Sequence, residues 1–331
     1  MKTKNKILIF CLILIGFVLI ITNSCKKEVD QGQQGQPPVL ATVDLTNIKQ
    51  TSANCEVDIT SDGGAAVTAR GVCWSTTQNP TITNSKTTDG TGTGTFTSTI
   101  TGLTATTTYY VKAYATNSIA TSYGNELIFK TYTGTITDIA GNVYNTETIG
   151  TQTWMVENLK TTKYRNGDLI ETTTPATLDI TGESTPKYQW VYDGNETNVF
   201  TYGRLYTWYA ITDSRSVCPT GWHIPSDIEW GTLINFSGGG NAGDALKETG
   251  TKHWQSPNTG ATNETGFTSL PSGMRYNSGA FNEFGSYGNW WSTTEHNTTE
   301  ADGFGTGYQF HNVYSFFMSK YNAYAVRCLK D

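Results

Sequence analysis

Charge is scarce in this sequence: 15% of its 331 residues are Asp, Glu, Lys or Arg, and they sum to −6 at pH 7. No basic patch offers phosphates the counterion release on which nucleic-acid binding relies, so nucleic acid is not expected as a partner. Histidine is rarer still, with only His223, His253, His296 and His311, and none stands in a His-Glu-x-x-His pair. Cys-x-x-Cys and Gly-x-Ser-x-Gly are also missing, which removes the familiar zinc and nucleophile signatures. Asp and Glu are scattered, so no carboxylate pair suited to glycoside hydrolysis stands out from spacing. The expectation is a chain that is not an enzyme, with no catalytic residue, no metal site and no cofactor. His223, between Trp222 and Ile224, reads as a hydrogen-bonded structural histidine.

Long apolar runs are absent too, except one. Lys2, Lys4 and Lys6 precede an apolar stretch from Ile7 to Ile21, followed by Thr22, Asn23, Ser24 and Cys25. This is the layout of a signal peptide (1–24), shorter than the roughly 20 residues of a membrane span. It resembles a bacterial lipobox, with Thr22 where Leu is usual, as in the looser signals of the Bacteroidota. The resemblance implies lipidation of Cys25 and a chain lipid-anchored to the outer membrane, facing the periplasm or the cell surface. Its first partner is then the membrane, through the anchor. Cys11 leaves with the signal, so four cysteines remain for the folded part. An even number per half in an oxidising compartment favours Cys55–Cys73 and Cys218–Cys328 bridges. Buried free thiols are the alternative, because connectivity cannot be read from spacing.

What is abundant is Gly, at 34 residues, with Thr throughout, 18 Tyr and 9 Trp. This composition suits strands joined by tight turns. Residues 25–38 are Gln, Gly, Pro and charge, a flexible tether. Residues 39–132 alternate: Cys55, Val57 and Ile59, then Phe96, Ser98 and Ile100, then Tyr109, Val111, Ala113 and Ala115, with Leu127 and Phe129 marking a last strand. Gly102-Leu103 followed by Thr107, Tyr109, Val111 and Ala113 resembles the tyrosine corner of fibronectin type III domains. Arg70-Gly71-Val72-Cys73-Trp74-Ser75 is similar to the variant of that domain in Bacteroidota surface proteins. The resemblance implies a β-sandwich acting as a spacer.

Residues 134–331 predict a second, α+β unit. Strands are expected at 136–140, 142–147 and 152–159. A helix over 227–236 should start from Ser226 with Glu229 closing a capping box, a short helix should cover 242–248, and the last strand should span 323–329. Five blocks occur in order: Asp138-Ile139-Ala140-Gly141-Asn142-Val143-Tyr144, Gln152-Thr153-Trp154-Met155-Val156-Glu157-Asn158-Leu159, Tyr202-Gly203-Arg204-Leu205-Tyr206-Thr207-Trp208-Tyr209-Ala210, Cys218-Pro219-Thr220-Gly221-Trp222-His223-Ile224-Pro225 and Val326-Arg327-Cys328. Together they resemble the Fibrobacter succinogenes major paralogous domain. They are also distantly similar to the C-type-lectin fold, in which the chain ends pair as neighbouring strands. That likeness makes Cys218–Cys328 the staple closing the unit. The formylglycine-generating oxidases of the same superfamily need reactive or copper-binding thiols, which these structural-looking cysteines do not supply.

Binding is therefore the expected function. Trp154, Trp208, Trp222 and Trp230 read as core. Trp290 and Trp291, adjacent on a strand, should face opposite ways, one inward and one outward. The segment 295–324 has the Tyr- and Asn-rich composition of recognition loops. Its candidate ligand residues, with Trp291, are Glu295, Tyr308, His311, Asn312, Tyr314, Tyr321 and Asn322. The motifs of calcium-dependent sugar binding are missing. The expected ligand is a glycan or a surface protein. A structural or adhesive envelope protein, a diversified receptor of the retroelement type and, last, an envelope enzyme are the alternatives.

Overall fold

A computed structural model describes residues 35–331. The expected signal segment, Cys25 and the tether up to residue 34 lie outside the described residues.

Eight strands build the first unit: β1 Val39–Thr46, β2 Ser52–Ser61, β3 Ala69–Ser75, β4 Ser85–Lys86, β5 Gly94–Thr101, β6 Thr108–Thr116, β7 Thr121–Tyr123 and β8 Leu127–Lys130. They form two sheets, ordered β1-β2-β5 and β4-β3-β6-β7, with β8 also paired to β6. Period-two alternation is the reason. Ala53, Cys55, Val57 and Ile59 on one sheet meet Val72, Val111, Ala113 and Ala115 on the other, all buried, while intervening polar residues face outward. The Tyr109 hydroxyl accepts a hydrogen bond from the Thr104 amide at 3.0 Å. That bond ties the β5–β6 corner in the way of a tyrosine corner. The unit is a fibronectin type III-like sandwich.

The expected Cys55–Cys73 bridge does not form; both thiols are free and buried. Strand parity explains this. Cys55 points into the sandwich, but on β3 it is Val72 and Trp74 that pack against that core. Cys73 therefore points from the opposite face of its sheet, beside Lys112, and a sheet separates the two sulfurs. Burial pushes the Cys55 thiol up to about 12 and Cys73 up to about 11.

The second unit follows after three residues. Its strands are β9 Gly134–Thr137, β10 Val143–Ile149, β11 Gln152–Met155, β12 Gln189–Trp190, β13 Leu205–Thr207, β14 Trp222–His223, β15 Ser272–Arg275, β16 Phe281–Phe284, β17 Tyr287–Glu295, β18 Glu300–Gly307, β19 Tyr314–Ser319, β20 Ala323–Tyr324 and β21 Leu329–Lys330. Four short helices interrupt them: α1 Val199–Tyr202, α2 Trp208–Ile211, α3 Asp227–Phe236 and α4 Ala242–Leu246. One sheet runs β14-β21-β11-β10-β9; the other runs β12-β13-β20-β15-β17-β18-β19 with β16 on β15. In α3 the Ser226 amide and hydroxyl both donate to Glu229 Oε2, at 2.8 and 2.7 Å, satisfying the turn that the capping-box spacing predicts. Cys218 and Cys328, both buried, are bonded to each other across 110 residues.

The joint between units is built, not loose. Lys130 of β8 donates to Glu147 of β10 at 2.7 Å. The other Glu147 oxygen accepts from the Thr133 amide and hydroxyl, and Gln50 donates to the Thr133 carbonyl. Glu147 is buried, and its charge is satisfied by β8 of the first unit and by the linker.

Two apolar clusters flank the longer sheet. Trp290 joins Trp154, Trp230, Phe267 and Phe304 in one; Trp291 joins Tyr206, Met274 and Tyr324 in the other. Both indoles are buried, at 1% and 0% exposure, which corrects the expectation that one faces solvent. A strand covered on both faces buries both parities.

Four buried cations pin irregular segments. Arg327 donates to Asn158, to the Phe267 carbonyl and to the Thr268 carbonyl, under the Phe267 ring. Arg275 reaches three carbonyls in the same way, and Lys247 reaches those of Thr259, Gly307 and Phe310. Lys320 binds Glu295 and two carbonyls. Most of these carbonyls lie in the irregular segments between strands, where the cation supplies a donor that no ladder does.

Candidate binding face on the second unit

The predicted ligand residues do not form one patch. β18 is eight residues long, so its ends lie roughly 24 Å apart, and the register sorts the candidates between them. Glu295 lies opposite Ala301 at one end, whereas Gly305, near the other, lies opposite Tyr314. At the first end Glu295 is held by the buried Lys320 at 2.5 Å. Tyr321 packs edge-on to Tyr209, ring centres 5.5 Å apart. Asn322 is buried and its side-chain oxygen accepts from the Asn277 amide at 3.0 Å; it shapes a turn, which corrects its assignment to a ligand. Trp291 is likewise a core residue, its indole N–H donating to the Tyr206 carbonyl at 2.8 Å.

The other end is more open. Tyr308 is half-buried after β18, while His311 and Asn312 are exposed. His311 Nδ1 lies 2.8 Å from Asp244. Tyr314 begins β19, half-buried, and donates from its hydroxyl to Asn289 Oδ1 at 2.5 Å.

Glycine makes the surface between these strands. Gly303, Gly305 and Gly307 occupy alternate positions on β18, so they share one face. A Cβ on Gly303 would meet the Phe316 ring at 2.5 Å, one on Gly305 the Tyr314 ring at 2.5 Å, and one on Gly307 the Phe310 ring at 2.7 Å. The bare backbone lets the aromatic rings lie down on the sheet.

Beside these rings opens a pocket of about 100 Å³ lined by Met274, Glu283, Asn289, Tyr314, Phe316, Met318 and Tyr324. Met274, Asn289 and Tyr324 are its buried floor; Glu283, Tyr314, Phe316 and Met318 are half-exposed at the mouth. Asn289 links the polar groups, accepting from Tyr314 and donating to Glu283 Oε2 at 2.8 Å. Burial raises the Glu283 carboxyl above the ordinary value, and the Asn289 bond only partly opposes this. Burial also raises the phenols of Tyr314 and Tyr324, with Glu283's charge adding to it. Of this pocket the sequence reading contains Tyr314 alone among its candidates. Met274, Glu283 and Asn289 come from β15, β16 and β17, whose pairing spacing does not reveal. The alternating glycines of β18 opposite alternating Tyr314, Phe316 and Met318 were the available signal.

Among the described residues no group of three or more His, Cys, Asp or Glu is placed to hold a metal ion. A family model, the Fibrobacter succinogenes major domain, matches residues 148–330. The chain belongs to this family. The match takes in the pocket, the glycine-bearing strand and the disulfide. A comparison with curated proteins returns no match. Solved structures similar to the chain include the sensor domain of the anti-sigma factor RsgI4 from Pseudobacteroides cellulosolvens, 20% identical over 29% of this chain and 95% of that one, with TM-score 0.23. The fibronectin type-III domain of human fibronectin type III domain containing protein 3 is 20% identical over 29% and 85%, with TM-score 0.21. At such scores the sandwich assignment rests on strand order and the Tyr109 corner, not on these neighbours.

Proposed function

We infer that the chain is a cell-envelope lipoprotein, anchored through Cys25, on which the Fibrobacter succinogenes major domain is a non-catalytic binding module for a glycan or protein ligand. The sandwich is the spacer that carries it. The observation that carries the binding reading is the ring-covered face of β17, β18 and β19 with its solvent-reaching pocket: π faces, thioethers and a few polar groups in one concavity are the chemistry of recognition. A buried disulfide supports an oxidising compartment outside the cytoplasm. The pairing of β11 with β21 supports the C-type-lectin-like reading, in which the strands near both ends of the unit are neighbours. The module uses no cofactor and acts on no bond, and its other partner is the outer membrane.

Two measurements test this. Metabolic labelling with a radioactive fatty acid should mark the protein and fail to mark Cys25→Ser; an unlabelled wild-type protein removes the anchor. A broad glycan array and a surface-protein panel, with and without calcium, should give a saturable hit lost in Phe316→Ala at unchanged melting temperature. Silence of the folded protein on both leaves the structural or adhesive reading in its place.

A further inference from the structure

Glu283 is the one half-buried carboxylate on this face without a matching charge. Its Oε2 accepts from Asn289 at 2.8 Å; among the described residues no Lys, Arg or His pairs with it, and Oε1 has no hydrogen-bond partner. Glu295, by contrast, is neutralised by Lys320, Glu147 by Lys130 and Asp213 by Lys187 and Arg215. Oε1 is open to solvent at the mouth of the pocket, where a cationic ligand can reach it. Glu283 also holds a left-handed backbone, φ 67°, a conformation uncommon for a residue with a side chain and one that clusters at ligand sites.

The surroundings select the occupant. Hard metal ions ask for six or more oxygen ligands, and here one carboxylate and one amide oxygen already bonded to Tyr314 are on offer. The walls are π faces and sulfur: the Phe316 and Tyr324 rings lie 5.1 Å apart, Tyr314 and Phe316 6.1 Å. Aromatic faces around a carboxylate attract an organic cation. We propose that the pocket binds an alkylammonium head, with Glu283 as its counter-charge and Tyr314, Phe316 and Tyr324 as its π walls. Methylated ammonium is preferred over primary. Beyond Glu283 and Asn289 the lining is ring faces and the Met274 and Met318 thioethers, surface that N-methyl groups cover better than N–H groups.

This rests on the reading of the face as a ligand surface and narrows it to a charge class. The test is titration of the intact protein with choline, n-butylammonium and the uncharged choline isostere 3,3-dimethylbutan-1-ol, followed by calorimetry and by the methyl NMR signals of Met274 and Met318. Choline should saturate, shift both methyls and bind at least about tenfold tighter than the isostere. Glu283→Gln should remove that preference, and Phe316→Leu should weaken choline at least several-fold while leaving the melting temperature within a few degrees. Butylammonium equal to or tighter than choline overturns the methylation preference; equal binding of choline and the isostere, or no saturable binding of either ammonium, overturns the proposal. If the ammonium arms fail while an array hit is still lost in Phe316→Ala, the face binds something else and only this inference falls. If both fail, the binding reading falls with it.

Discussion

Replacing both Cys218 and Cys328 by Ala should remove close to half the stability of a typical domain. The bond closes a loop of 110 residues. In the chain-entropy account a loop of that length restricts the unfolded chain by about 4.8 kcal/mol at 25 °C. The sulfurs lie in the core cluster with Tyr206, Trp291 and Val326, so vacating them adds on the order of 1 kcal/mol. The expected loss is about 6 kcal/mol, against about 5–15 kcal/mol for a whole domain. Tryptophan fluorescence suits the assay, because eight of the nine Trp, all but Trp74, belong to the second unit. With a urea slope near 2.5 kcal/mol/M, the midpoint should fall by about 2 M. The free Cys55 and Cys73 stay in place, so the sandwich is unchanged and serves as an internal reference. A fall below about 0.5 M would refute the reasoning. It would mean that the unfolded chain already holds residues 218 and 328 close together, so that the bond restricts little.

Arg327→Met should destabilise the second unit by about 3 kcal/mol or more in urea titration, since it strands the Phe267 and Thr268 carbonyls in the interior and leaves Asn158 only its bond from the Trp290 indole; a loss under about 1 kcal/mol would show that packing, not polarity, holds Arg327. His223 bridges Asp331 at 2.6 Å and Glu229 at 2.9 Å. Its partial burial disfavours the charged ring, but these two bonds outweigh that and raise its pKa above the ordinary 6.5. A raised folded pKa gives stability fully present below about 6.5 and lost as pH rises through the folded value, so melting temperature should decline over that interval in wild type and stay flatter in His223→Gln. Gly305→Ala should cost about 1–3 kcal/mol by overpacking Tyr314, and a crystal structure of the variant should show that ring lifted from β18; an unmoved ring with no loss would remove the glycine argument.

How much of this was readable beforehand follows from what each feature depends on. Local features came through. The alternation of β2 and β6, the Tyr109 corner and the Ser226–Glu229 box each depend on residues a few positions apart. Features set by topology did not. Trp291 looked half-exposed because adjacent strand residues usually differ in environment, and nothing local says that β17 runs between two cores. The Cys55–Cys73 pairing failed on which face of β3 the thiol occupies. The pocket draws on five strands, so Glu283, whose neighbours in sequence are ordinary, gained its role only once β16 folded back against β15. The buried cations show the same limit from the other side: Arg275, Arg327 and Lys247 read as surface residues by type, and only the fold supplies the carbonyls that keep them inside.

The position of β21 has a consequence for how the molecule is made. Its two residues sit between β11 and β14, with Trp154 and Leu329 facing each other across 175 positions and His223 on the far side. The strands of the sandwich end at residue 130 and its last bonds come from Thr131 to Thr133, so it can be finished while the rest is still arriving. The second unit has no closed five-stranded sheet, and no Cys328 to trap, until residue 330 is free to insert. The growing chain passes through an interval in which a finished sandwich carries an open, aromatic-rich half-domain. In that interval its exposed strand edges are vulnerable to wrong pairing, and the same interval is when an oxidant must reach Cys218.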